Sequence, residues 1–238
     1  MTARAHPSVN RTARLAGALY LAMMPFAFLG IIYVPSVLVV PGDATATARN
    51  ITASEWLFRS GTVSHLIGQI ILIFLVLTLY RLLKPVNKDY AVLMVVLALL
   101  AVPIAFLNEL NHVAVLRLLS GPDYLRALTL EQRHAQAMLF LDLRNSGIFV
   151  AQVFWGLWLL PLGYLVFRSG FLPKVIGILL IIACCGYLID SGTHLLLRDF
   201  DATISQFTFV GEVLLPMWLL IRGVNVERWS SWAPHPAA

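Results

Sequence analysis

Residues 90–119 read YAVLMVVLALLAVPIAFLNELNHVAVLRLL, and this stretch decides the fold class. From Ala91 to Leu107 it holds no charged or strongly polar side chain. A membrane-crossing helix needs about 20 consecutive, predominantly apolar residues, and no soluble fold calls for a run of this purity. At its far end the run meets Asn108, Glu109, Asn111 and His112. A charged side chain at the bilayer centre costs roughly 2.5–3.5 kcal/mol on insertion scales. A chain that keeps Glu109 in such a segment uses it, either as part of a site or as a polar lock between helices.

Five further segments have the same character, at 15–40, 61–83, 135–167, 174–197 and 203–221. The pattern predicts an all-α, polytopic membrane protein: six transmembrane helices in one bundle, with residues 11–225 as a single domain between polar tails at 1–10 and 226–238. Pro25 and Pro35 interrupt the first segment and predict that its crossing stops near Val34. Its apolar run far exceeds the 7–15 residues of a signal-peptide core, so a retained helix is expected. Residues 41–60, with Ile51, Trp56 and Phe58, read as a short amphipathic helix on the membrane surface.

Composition agrees with a bilayer. Of the 238 residues, 59% are hydrophobic and only 12% charged, against about 25% charged in soluble domains; mean hydropathy is +0.82. The formal net charge of +5 does not indicate nucleic acid. The basic residues lie in short turns beside apolar spans and form no continuous stripe. Lys and Arg crowd the amino terminus, the turns after spans two and four, and the tail. The opposite connections hold Arg49, Arg59, Arg117, Arg126, Arg133 and Arg198, offset by acids. The positive-inside rule then places both termini in the cytoplasm of a multi-pass cell-membrane protein. Cys184 and Cys185 are adjacent in an apolar run and read as packing residues, not as a disulfide or zinc site. Trp229 and Trp232 in the tail read as interface anchors.

With that topology, position along each span gives depth. His65 and Gln69 fall in the outer half of span two. Asn108, Glu109, Asn111 and His112 fall in the outer third of span three, and Asp142, Arg144, Asn145 and Ser146 in that of span four. Asp190, Ser191 and His194 sit near the outer end of span five, and Glu212 about halfway along span six. Spacings of three or four put Glu109 with His112, Asp190 with His194, and His65 with Gln69 on common helix faces.

Three functions fit that pattern. The first is an outward-facing polar pocket that binds or moves a small polar or amphiphilic ligand. Asp142, Asp190 and Glu212 carry it, supported by Glu109, Arg144, Asn108 and Ser191; six helices make a small transporter, so a homo-oligomer is expected. The second is a metal-dependent intramembrane hydrolase. Its ligands come from His65, Glu109, His112, Asp190 and His194, which suit a divalent metal such as zinc. The third is a structural protein whose buried acids lock helices together. Membrane lipid is the expected partner in all three. No Gly-rich phosphate loop, Gly-x-Ser-x-Gly elbow or His-Glu-x-x-His is present.

Several stretches resemble a known group of sequences. They are Arg14-Leu-Ala-Gly17, Val40-Pro-Gly-Asp43, Leu83-Lys-Pro-Val-Asn87, Leu139-Phe-Leu-Asp142, Arg168-Ser-Gly-Phe-Leu-Pro173, Gly186-Tyr-Leu-Ile-Asp-Ser191, and Gly211-Glu212 ahead of Trp218. Together they are similar to a family of bacterial six-helix membrane proteins, catalogued as domain of unknown function 4386. The resemblance implies one integral-membrane domain and no activity. It includes acids at the positions of Asp142, Asp190 and Glu212, and usually an acid where His65 stands here. A second resemblance, to intramembrane hydrolases of the ceramidase and progestin-receptor type, rests on His65 and the pair Asp190 and His194. Gly61 stands where that pattern has serine.

Overall fold

The computed structural model describes residues 6–197 and 203–232, and among them every regular element is helical. Arg4 and Arg198, used in the charge count, lie outside the described residues. Five stretches are long and apolar enough to cross a membrane: Val9–Leu38, Glu55–Leu83, Lys88–Ser120, Leu130–Ser169 and Lys174–Leu196. The sixth expected crossing is the shorter apolar stretch Ser205–Ile221. At 1.5 Å per residue it spans about 25 Å, a little less than a hydrocarbon core of about 30 Å.

The long stretches are not single rods. The first consists of α1 (His6–Ala27), a π-helical turn (Phe28–Tyr33) and α2 (Val34–Leu38). The expected stop near Val34 does not occur. Pro25 is accommodated inside α1, and Pro35 sits in the first turn of α2, where a missing N–H is tolerated. The expected surface helix over 41–60 is divided instead. Asp43 caps α3 (Ala44–Ala53), accepting from the Ala46 amide at 2.8 Å. Ser54 breaks the helix with backbone that is neither helical nor extended (φ -129°, ψ 44°), and α4 (Glu55–Leu83) begins directly after it. Trp56 and Phe58 therefore belong to a crossing helix, with Phe58 buried and Trp56 exposed.

Three later apolar stretches contain a one-residue interruption. Glu109 separates α5 (Lys88–Asn108) from α6 (Leu110–Ser120), and Trp158 separates α7 (Leu130–Leu157) from α8 (Leu159–Ser169). After α9 (Lys174–Leu196), Phe209 separates α10 (Ser205–Thr208) from α11 (Val210–Ile221). Glycines in the left-handed region end α6 and α8, at Gly121 (φ 61°) and Gly170 (φ 68°); that backbone is cheap only without a Cβ. A last short helix, α12 (Val226–Ser230), follows α11. The tail tryptophans act within the fold: the Trp229 indole donates to the Leu82 carbonyl and that of Trp232 to the Ser169 carbonyl, both at 2.9 Å.

The chain divides into two compact units. Unit one comprises Met1–Ala22, Ile71–Ala101 and Ala151–Ala238; unit two comprises Met23–Ile70 and Val102–Val150. In unit one, helices approach until their backbones almost touch. A Cβ on Gly177 of α9 would lie 2.6 Å from the Gly163 carbonyl of α8, and one on Gly17 of α1 would lie 2.7 Å from the Pro216 carbonyl of α11. Close approach through small residues is how membrane helices gain dispersion contact without a hydrophobic driving force. The core of unit two is apolar, built by Val34 and Leu38 of α2, Ile51 of α3, Phe58 of α4, Val115 and Leu118 of α6, and Ala137 and Leu141 of α7.

Candidate functional site: a buried arginine–glutamate–histidine centre

Unit two carries a buried polar centre around Glu109. The interruption of the helix at this residue sets its position. The Glu109 carbonyl receives both the His112 amide (3.1 Å) and the Val113 amide (3.3 Å), which tightens the turn. Asn108, Glu109 and His112 are all buried as a result. Asn108 donates from Nδ2 to the Arg144 carbonyl on α7 at 2.8 Å and so ties the two helices together.

Glu109 Oε1 is the hub. Arg144 donates to it from Nη2 at 2.8 Å and from Nε at 3.1 Å, and His65 Nδ1 of α4 lies 2.6 Å from it. The same Nη2 donates to the Gly30 carbonyl at 3.0 Å, inside the π-helical turn. A wide helical turn displaces the regular backbone bonding and here offers a carbonyl to a side chain. Gln69 Nε2, one turn along α4, is 3.3 Å from His65 Nε2. A His65 tautomer that donates through Nδ1 and accepts at Nε2 satisfies both contacts. Arg144 is 3% exposed, as is Glu109. Their pairing removes two opposite charges from solvent at one point, and a partner-less member of such a pair is strongly destabilising.

The other edge of the centre is not saturated. His112 Nδ1 is 2.7 Å from Thr62 Oγ1 of α4 and its ring stacks obliquely on Phe58, centroids 4.3 Å apart. Glu109 Oε2 is 3.1 Å from the same nitrogen as an ion-pair contact, but it makes no well-aligned hydrogen bond among the described residues. Gln69 Oε1 is likewise buried without one. Two acceptors inside one polar centre thus lack donors.

The remaining candidates fall elsewhere. Asp142 is exposed, on the face of α7 opposite buried Arg144. Unit one holds Asp190, Ser191, His194 and Glu212. Asp190 accepts from the amides of Ile204 (2.6 Å) and Ser205 (2.9 Å), capping the start of α10. Asp190→Ala should therefore destabilise by about 1 kcal/mol, in the range of a lost helix cap. A fall in Tm of a few degrees in detergent checks it, and unchanged melting would mean the cap is idle. Ser191 is buried with its hydroxyl unpartnered among the described residues, and His194 is half-buried. Glu212 accepts from the Tyr20 hydroxyl at 2.8 Å, and Tyr187 faces the same carboxylate.

Of the candidate metal ligands, unit two brings His65, Glu109 and His112 together, with Arg144 as the cation among them. Among the described residues, no group of three His, Cys, Asp or Glu side chains is arranged to hold a metal ion. Sequence reasoning missed Thr62, the Gly30 carbonyl, Tyr20 and Tyr187. The tyrosines left a usable signal, because a phenol in mid-span is expected to find a partner. The carbonyl left none.

Comparison with known proteins places these residues in a wider group. Residues 15–223 match the family described as Domain of unknown function (DUF4386). A protein of Archaeoglobus fulgidus, described as an uncharacterized protein, is 32% identical over 168 residues, covering 68% of this chain and 85% of the relative. No solved structure matches.

Proposed function

We propose, from the premise that this chain belongs to the family of Domain of unknown function (DUF4386), that the Glu109 centre of unit two binds a small polar or amphiphilic ligand. The observation that carries this is the pair of buried, donor-less acceptors, Glu109 Oε2 and Gln69 Oε1. A polar atom left unmet in a buried site costs about 1–3 kcal/mol, and a ligand with a hydroxyl or ammonium group removes that cost. Arg144 fixes the carboxylate through Oε1 and leaves Oε2 for the incoming donor. Asp142, Asp190, Ser191 and Glu212 drop to the margin of this reading; Asn108 and Arg144 hold the shape.

Depth supports access from one membrane face. Counted along straight helices, His65 lies about 27 Å from the end of α4 at Leu83, and Glu109 about 31 Å from the start of α5 at Lys88. A hydrocarbon core is about 30 Å thick, so both stand where these helices leave it. In this reading the chain crosses the cell membrane six times, with Ser205–Ile221 as the last crossing and both termini cytoplasmic, so the centre opens outward.

Gln69→Leu tests the proposal, because it removes one free acceptor and leaves the Arg144–Glu109 pair intact. Native mass spectrometry of the purified wild type should find a bound hydroxyl- or amine-bearing molecule. The variant should lose it, with an affinity at least about tenfold weaker, while melting within a few degrees of wild type. Equal occupancy in both proteins, or no bound molecule in the wild type, would sink the binding reading.

A further inference from the structure

We propose that Glu212 of unit one is a proton-binding site, loaded and unloaded at its carboxylate oxygen Oε1. Glu212 stands inside the apolar stretch Ser205–Ile221, about 10 Å from one end and about 14 Å from the other along a straight helix. Glu212 and Pro216, four apart on α11, meet Tyr20 and Gly17, three apart on α1. The Tyr20 hydroxyl donates to Oε2 at 2.8 Å, and Tyr187 of α9 presents its phenol to the same carboxylate. Oε1 is buried with no hydrogen-bond partner among the described residues. Unlike Glu109, Glu212 forms no ion pair among the described residues. The titratable groups that face it are the two phenols. Asp190 acts on Tyr187 and brings negative charge, not positive.

The position therefore lacks two things, a positive charge and a donor for Oε1. An ionised carboxylate inside a bilayer is costly, and acids kept there mark ion paths and proton relays. One proton on Oε1 meets both needs. Uptake forms a single O–H bond and neutralises the carboxylate. The new hydroxyl donates to the Tyr187 oxygen, which as a phenol accepts as well as donates, while Oε2 still accepts from Tyr20. Release breaks that one bond and returns the Tyr187 hydroxyl to donating. Close packing favours a proton over a larger cation. A Cβ on Gly211, next to Glu212, would lie 2.8 Å from the backbone of Leu179 and Leu180, and one on Gly156 of α7 would lie 2.9 Å from the Tyr187 Cβ. The Tyr20 ring packs on buried Trp158, centroids 6.0 Å apart. Water would meet Oε1 but not the charge. As a static link between α1, α9 and α11, glutamine would serve equally, since its amide accepts from one phenol and donates to the other with nothing to ionise. Only the acid can give the proton up. The inference is independent of what the Glu109 centre binds.

Infrared difference spectroscopy of the full chain in lipid vesicles tests it, through the carbonyl stretch of a protonated carboxyl, which is separate from the carboxylate bands. Exposed acids cancel in the difference between wild type and Glu212→Gln, which should contain one carboxyl band. That band should grow on acidification, fade reversibly in alkali, shift in heavy water, and move when the glutamates are isotopically labelled. Glu212→Gln should melt close to wild type, because the amide keeps both phenol contacts. Tyr20→Phe retains the acid and gives a readout that does not depend on Glu212→Gln folding. In its difference from wild type the same labelled band should reappear at a displaced frequency, because Oε2 has lost its donor. No carboxyl band in either difference, a band that ignores pH and heavy water, or one that the glutamate label leaves in place would overturn the proposal.

Discussion

Arg144→Met is expected to lower stability by about 3–5 kcal/mol, the range for breaking a buried ion pair from one side. The variant should accumulate poorly in membranes and melt well below wild type in detergent. The size of the effect follows from what is left behind. Arg144 supplies two of the three hydrogen bonds on Glu109 Oε1 and holds the Gly30 carbonyl. Without it a buried carboxylate keeps only the imidazoles of His65 and His112. Ordinary polar contacts between membrane helices average about 0.6 kcal/mol, so three of them removed without an uncompensated charge would cost about 2 kcal/mol. A loss near 4 kcal/mol, in the range for a severed buried pair, therefore identifies the unpaired charge as the main source of the instability. The double variant Arg144→Met/Glu109→Leu should recover most of the loss, because it removes both charges together. If the single variant melts with wild type, Glu109 is not held as an ion pair. If the double variant is worse than the single one, His65 and His112 depend on the carboxylate more than it depends on the arginine.

That experiment bears on how much the sequence could say. Glu109, Asn108, His112, His65 and Arg144 were all legible as a polar group, because ionisable residues inside apolar runs are rare and expensive. Their mutual contact was partly legible through spacing and depth. Which side of α7 faces inward was not. Asp142 and Arg144 stand two residues apart, which on a helix is a turn of about 200°, so a face that buries one exposes the other. Periodicity alone treats the two alike. The structure buries the arginine, whose long side chain reaches Glu109 across the bundle of unit two.

Asp190 shows a different limit. Its spacing to His194 invites a ligand pair, but its oxygens are taken up by the amides of Ile204 and Ser205, 14 and 15 residues further on. That bond depends on where α10 starts, and nothing local in the chain signals a four-residue helix ahead of an apolar one. Glu212 shows a third. Its partner Tyr20 is 192 residues away, and no local pattern reports a contact between the first and last apolar helices. The six apolar segments and the helical class were legible because bilayer thickness acts on local composition. The interruptions at Glu109, Trp158 and Phe209 were not, because they leave the residues near helical geometry and disturb no periodicity.

Gly30→Val should be the most damaging substitution outside the charged centre, with an expected loss of about 3 kcal/mol or more, at the upper end for overpacking. A Cβ at this position would lie 2.6 Å from the Gly61 carbonyl and 2.9 Å from the His65 Cβ. The first obstacle is backbone, which no rotamer change can clear, so the π-helical turn and α4 must separate. Separation also draws the Gly30 carbonyl away from Arg144 Nη2 and moves His65, one turn beyond Gly61, relative to Glu109. The steric defect is therefore transmitted to the polar centre. Gly30→Ala should show the same effect in weaker form, about 1–3 kcal/mol. Gly192→Ala, where an added Cβ meets nothing within 4 Å, should be neutral or slightly stabilising for a helix residue. Thermal melts of the three variants in one detergent give the order. Combining Gly30→Ala with Arg144→Met should cost less than the sum of the two, because both act on the bond from Arg144 to the Gly30 carbonyl. Full additivity would mean that the close approach and the ion pair are separate supports of unit two, and a Gly30→Ala protein as stable as wild type would mean that the two backbones do not touch.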